Sequence, residues 1–233
     1  MKKTVTLWMT ATVLMYAQEV YATFEIHAAQ SATVAFSGNG IIEKLYVQIG
    51  DTVKKGQLLG ELINDDIQAQ VEMASIAQKY AKRDYERQKK VTNVTSEAQM
   101  DMFAYKYENA SAKLRLEQSQ LDKTKLKAPF DGTITMKFVE KGDLVSGQMI
   151  TKVLTVQSLS DRRLILSFDQ KYHTQVKKGD AFVYKIDGDE TNRTGEIYKI
   201  YPAIDEKSRK IIAEVKAQDL PVGLFGDGII TTK

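Results

Sequence analysis

Side chains with chemistry to offer are few and scattered in this 233-residue chain. The two histidines, His27 and His173, stand far apart, with no cysteine or carboxylate at ligand spacing around them. The absence of cysteine removes thiolate nucleophiles, soft metal clips and disulfides at once. Beyond residue 22 the methionines are Met73, Met100, Met102, Met136 and Met149, dispersed rather than clustered. No nucleophile–base set, paired-carboxylate signature or phosphate loop is visible. The chain is therefore expected to be no enzyme and to hold no cofactor and no metal. Its function has to come from architecture.

The elements that would carry such a function begin after an export signal. Lys2 and Lys3 precede a mostly apolar run from Val5 to Ala17, and Val20-Tyr21-Ala22 offers the small residues a signal peptidase reads. Roughly 13 apolar residues are too few for a hydrocarbon core that needs about 20. A signal peptide over residues 1–22, cleaved after Ala22, is expected. Its loss leaves 31 of the 33 basic and 29 of the 30 acidic residues, a net charge of +2. That balance argues against nucleic acid as a partner. The 43% hydrophobic and 27% charged content is ordinary for a folded, water-exposed protein.

An internal repeat dominates the rest. Gly40-Ile41-Ile42 through Gly50-Asp51-Thr52-Val53 recurs as Gly132-Thr133-Ile134 through Gly142-Asp143-Leu144-Val145, at an offset of 92. One residue is then dropped, and Gly56-Gln57 meets Gly147-Gln148. In each copy alternating apolar residues (Ile42, Leu45 and Val47; Ile134 and Phe138) make short half-buried strands. Gly50-Asp51 and Gly142-Asp143 supply tight turns, and Gly56 and Gly147 lead the chain into the next strand. One copy leaves an apolar face unpaired, whereas two facing copies bury a shared core.

At these residues the chain resembles the biotinyl/lipoyl carrier fold, in the split version found in periplasmic adaptor proteins, also called membrane fusion proteins. Ala128-Pro129-Phe130-Asp131-Gly132, opening the second copy, is typical of that family. A true carrier presents one modified lysine, usually flanked by methionines, between its halves. Met136-Lys137-Phe138 has that composition but follows Gly132, inside the second copy. The tip position at Leu62-Ile63-Asn64-Asp65 has no lysine. A biotinyl or lipoyl carrier subunit is therefore the weaker alternative.

More than 60 residues are inserted at that tip. Asp65 to about Lys90 lacks proline and glycine, with Ile67, Val71, Ala74, Ala81, Tyr85 and Gln88 near three- and four-residue steps. After a polar break at Thr92–Ser96, Ser96 and Gln99 form a capping-box pattern. Met100, Phe103, Tyr107, Ala110, Leu114 and Leu121 then repeat the spacing, with one slip at Glu117. Two such helices joined by a short turn run antiparallel as a coiled-coil hairpin; about 25 residues at 1.5 Å each reach roughly 40 Å. Adaptors of resistance-nodulation-division (RND) pumps carry at this tip an arginine, a leucine four residues on, and a serine, used to grip an outer-membrane channel. This chain has Arg87, Val91 and Ser96, with Asp101 five residues beyond the serine. Valine replaces leucine, and the serine lies about two residues nearer than in the family pattern. The resemblance implies that Arg87, Val91 and Ser96 form the channel-binding tip.

From Leu159 onward short alternating strands at turn-marked intervals indicate a small antiparallel barrel. Residues 23–35 (Phe24, Ile26, Val34) are expected to return to it as a further strand, and Tyr172–Val176 to form one short helix. Pro202-Ala203-Ile204-Asp205, Ser208-Arg209 and Leu220-Pro221-Val222-Gly223 resemble the adaptor barrel. With the chain stopping at Lys233, the membrane-proximal domain of many adaptors is expected to be absent or minimal. The expectation is a multidomain, elongated α+β protein: a β-barrel from 23–35 and 157–233, a lipoyl-like β-sandwich from 36–63 and 127–156, and an α-helical hairpin over 64–126.

The resemblance implies a periplasmic adaptor of a tripartite efflux pump in a Gram-negative bacterium, held at the inner membrane through its transporter. Its partners would be that transporter, an outer-membrane channel and copies of itself in a trimeric or hexameric ring. Adaptors of ATP-driven exporters or metal-ion efflux systems are the alternatives of the same architecture.

Overall fold

The computed structural model describes residues 19–90, 96–147, 149 and 151–232. In chain order the strands are β1 (Glu19–Ala28), β2 (Ser31–Val34), β3 (Gly40–Leu45), β4 (Thr52–Val53), β5 (Leu58–Leu62), β6 (Lys125–Lys127), β7 (Gly132–Lys137), β8 (Leu144–Val145), β9 (Leu154–Ser158), β10 (Asp161–Asp169), β11 (Ala181–Ile186), β12 (Arg193–Ile200), β13 (Lys210–Gln218) and β14 (Phe225–Thr231). Helices α1 (Asp65–Lys89) and α2 (Glu97–Lys123) lie between β5 and β6. They divide into two compact units: residues up to Ala29 with Ser160 onward, and Gln30–Leu159.

The first unit is a closed barrel in the order β1-β10-β13-β12-β11-β14. Strict alternation fills it: Val20, Ala22, Phe24, Ile26 and Ala28 of β1 point inward with Leu164, Leu166, Phe168, Phe182, Ile197, Val215 and Ile230. Phe24 meets Phe182 and Tyr184 edge-on, with ring centroids 5.8 and 5.2 Å apart. The expected domain boundary at residue 22 falls inside β1. Glu19–Ala22 pair with Ile229, Ile230, Thr231 and Gly228 of β14, and Val20 and Ala22 are fully buried. Residues 1–18 of the expected signal segment lie outside the described residues. The expected helix at Tyr172–Val176 is instead a 3₁₀ turn at Gln170–Tyr172, started by Asp169, whose carboxylate accepts from the Lys171 amide at 2.9 Å.

The second unit holds two four-stranded sheets, β2-β9-β7-β4 and β6-β5-β3-β8. Residues 30–35, expected in the barrel, belong here. Ser31–Val34 pairs antiparallel along β9, with Val34 opposite Leu154 and packed on the sandwich core. Alternation alone does not say which sheet a strand joins.

Each repeat lends its short second strand to the other. Gly40 pairs with Val145 and Gly132 with Val53, positions related by the offset of the repeat. Around them the Ile42 amide bonds the Asp143 carbonyl at 2.9 Å, as Ile134 bonds Asp51 at 2.9 Å. The two turns are copies as well. Gly50 and Gly142 take φ of 96° and 95°, where a β-carbon is strained. Asp51 and Asp143 accept the amides of Gln48 and Glu140 at 2.7 and 2.8 Å. The Lys178-Gly179-Asp180 turn that separates two barrel strands has the same geometry: Asp180 accepts the Lys177 amide at 2.7 Å beside Gly179 at φ 96°.

Gly56 and Gly147 differ in role. Gly56 turns with φ of 81°, whereas a β-carbon on Gly147 would sit 2.4 Å from the Ser37 carbonyl oxygen. Gly147 is thus a site of close backbone approach rather than a left-handed turn.

Candidate functional site

The helical pair grows out of the sandwich through a buried polar clamp. Asn64, just ahead of α1, donates from Nδ2 to Thr124 Oγ1 at 3.0 Å, just beyond α2. The Thr124 hydroxyl passes its own proton to the Leu121 carbonyl at 2.7 Å, and the Gln68 amide donates to Asn64 Oδ1. The amides of Leu62 and Gly38 bond the carbonyls of Thr124 and Lys123 at 2.9 and 3.0 Å. Both Asn64 and Thr124 are buried. Buried amides and hydroxyls are tolerated only when paired, so this set fixes both helix ends to the strand that feeds them. Asn64 occupies an N-cap position yet makes no side-chain cap bond. Only the folded chain brings it to Thr124.

From this root the helices run antiparallel, with Tyr85 stacked on Tyr107 at 5.8 Å. The residues picked out by spacing on both helices are half-buried or buried, joined by Gln78, Asp84, Ala104, Ser111 and Glu117. Glu117 corrects the expected slip. It sits on the seam, is the one buried residue of α2, and is held by Lys113 Nζ at 2.6 Å.

At the far end, Arg87 stands exposed in the last turn of α1, its guanidinium 3.9 Å from Asp84 Oδ1. Ser96 caps α2, its Oγ accepting from the Gln99 amide at 3.4 Å, as the capping pattern predicts. Asp101 is exposed on the next turn. Arg87 and Ser96 thus share one end of the pair; Val91 lies outside the described residues.

Lys137 ends β7 opposite Leu154, with its Nζ 2.6 Å from Glu140 Oε1. His27 contacts Glu25 at 3.2 Å, and His173 Nδ1 lies 3.2 Å from the Gln170 carbonyl. Among the described residues no three His, Cys, Asp or Glu side chains are grouped to hold a metal ion.

The barrel's outer wall holds the most perturbed ionisable cluster, which sequence reasoning did not find. On β13, Ile211, Ala213 and Val215 fill the core, so Glu214 points outward, yet only 1% of it is exposed. Tyr198 donates to its Oε2 and Tyr201 to its Oε1, the latter at 2.6 Å. Arg163 Nη1 and Lys199 Nζ stand 3.5 Å away. Burial pulls the Glu214 carboxyl upward, but the two phenol bonds and the two cations outweigh it and hold it below the ordinary value. Burial and the bond to Glu214 push Tyr198 up to about 12. The cluster ties β10, β12 and β13 together; it offers no free nucleophile.

A family model described as "RND MFP, barrel-sandwich hybrid domain" matches residues 30–157. The macrolide export protein MacA of Escherichia coli O157:H7 is 24% identical over 217 residues, covering 79% of this chain and 58% of its own. The cobalt-zinc-cadmium resistance protein CzcB of Cupriavidus metallidurans is 24% identical over 193 residues, covering 76% and 37%. The chain therefore spans about half the length, or less, of these curated relatives. Among solved structures, a MacA-MexA chimera carrying the Pseudomonas aeruginosa MexA α-hairpin superposes with a TM-score of 0.85 at 25% identity, over 93% of this chain and 83% of that one.

Proposed function

This chain belongs to the RND membrane fusion proteins, and from that membership we propose that it is the periplasmic adaptor of a tripartite efflux pump, joining an inner-membrane transporter to an outer-membrane channel. One observation carries the reading: a repeat-built sandwich is interrupted at its tip by two antiparallel helices whose roots are clamped by Asn64 and Thr124. A rigidly rooted arm transmits position.

In this reading the arm is a coiled-coil hairpin whose tip contacts the channel. Arg87 donates to channel carbonyls or carboxylates, Val91 fills a small apolar notch, and Ser96 both caps α2 and touches the partner. The barrel docks on the transporter. Sandwich domains pack side by side in a trimeric or hexameric ring, where weak contacts gain avidity.

Two measurements test it. Deleting the protein should sensitise cells to the pump's cargo, assayed with both drugs and divalent metal ions because the relatives' names divide between macrolide export and metal resistance. Arg87→Glu should abolish resistance while export and thermal stability stay unchanged. Full resistance with Arg87→Glu would remove the tip assignment, and no sensitivity on deletion would remove the adaptor reading.

A further inference from the structure

The outer face of the barrel carries a groove of about 460 Å³ along β1, β14 and β10. Its lining is mixed in a particular way. Half-buried Thr23, Ile165 and Ile212 lie among its apolar residues, while Tyr21 and Phe225 are 61% and 57% exposed. Glu25, Asp187 and Asp227 supply its charges, and among the described residues no lysine or arginine lines it. The register explains the pattern: Glu25 faces Phe225, Thr23 faces Asp227, and Tyr21 faces Ile229, so rings and carboxylates alternate along one pair of strands.

The charges are poorly compensated. Glu25 contacts His27 at 3.2 Å, but Asp187 and Asp227 form no ion pair among the described residues. Lys185, the cross-strand neighbour of Asp227, is held by Glu190 at 2.9 Å. Exposed aromatic faces beside uncompensated carboxylates favour a positive charge on an apolar body, through ion pairing and cation–π attraction together. The volume lies within the range of about 300–1,000 Å³ typical of small-molecule sites. The run from Tyr21 to Glu25 is about 13 Å long, short for a protein interface that buries about 800 Å² per partner.

We infer that this groove binds a lipophilic organic cation of drug size. Such binding is separate from the connector role and does not depend on it. The test is a titration of the full chain with rhodamine 6G at low salt, followed by fluorescence anisotropy. 8-Anilinonaphthalene sulfonate serves as the anionic comparison and N-phenyl-1-naphthylamine as the neutral one. Saturable one-to-one binding of the cation is expected. Asp227→Asn and Asp187→Asn should each raise Kd about fivefold, and added salt should weaken binding. Phe225→Ala combined with Asp227→Asn should exceed about tenfold. These side chains are exposed, and the tyrosine near-ultraviolet spectrum reports that each variant stays folded. Four outcomes overturn the inference: no saturable binding, equal affinity for the anionic or neutral dye, unchanged affinity in both aspartate variants, or binding only of a basic amphipathic peptide.

Discussion

Glu214→Gln is the sharpest test of how the barrel wall is held. The carboxylate accepts two phenol hydrogen bonds and faces Arg163 and Lys199 at 3.5 Å, with 1% exposure. A hydrogen bond to a charged acceptor contributes about 1.5–3 kcal/mol. The ion pairs contribute less than about 1 kcal/mol each, because both cations are partly solvated. Glutamine keeps the shape and one acceptor, so one tyrosine bond survives; the other phenol meets an amide NH₂, and Arg163 loses its counter-charge.

The expected loss is about 2–4 kcal/mol at neutral pH. Urea denaturation read by tyrosine near-ultraviolet circular dichroism measures it, and a cycle with Tyr198→Phe should give a coupling of at least about 1 kcal/mol. The pH dependence has a definite sign. Because the folded carboxyl is held below its ordinary value of 4.5, its stabilisation is complete above that value and disappears as pH falls. The gap between wild type and variant should therefore close in acid. A loss under about 0.5 kcal/mol at neutral pH, or a gap constant down to about pH 3, would refute the account.

Three further outcomes follow from other parts of the molecule. Tyr198, pushed up to about 12, should ionise last among the tyrosines in an absorbance titration; its contribution is full below pH 10 and lost toward 12, so a uniform transition near 10 would contradict the buried bond. Gly132→Ala places a β-carbon 2.3 Å from the Gln157 carbonyl oxygen, and parting β7 from β9 should cost about 1–3 kcal/mol, seen as a lowered denaturation midpoint. A chain beginning at Thr23 lacks the buried Val20 and Ala22 and four rungs of the β14 ladder. It should be at least about 3 kcal/mol less stable than one beginning at Glu19, and an intact mass of the protein isolated from its native cells that starts at Thr23 would count against the β1 assignment.

Much of the architecture was legible because it is periodic. The offset of 92 announced two equivalent halves, and Gly50-Asp51 and Gly142-Asp143 announced their turns, since a positive φ demands glycine there. The helical stripes were equally plain, because a 3-4 spacing has one geometric meaning. Ser96 was readable as a cap from its own neighbours. Glu117 was misread because a charge at a seam position looks like a break until Lys113 is seen beside it.

What resisted reading was most of the choice between distant partners, although residues 23–28 were expected in the barrel and do pair with β10 and β14. Alternation in residues 19–35 was visible, but not that Val20 and Ala22 belong with β14 while Val34 belongs with β9. Nor could sequence show that each repeat completes the other's sheet, that Asn64 meets Thr124, or that Glu214 gathers Tyr198, Tyr201 and Arg163. Local periods and turn chemistry are written in the order of residues. Partner choice is settled by which long-range pairing buries most apolar surface and leaves fewest polar groups unpaired, a property of the folded chain alone.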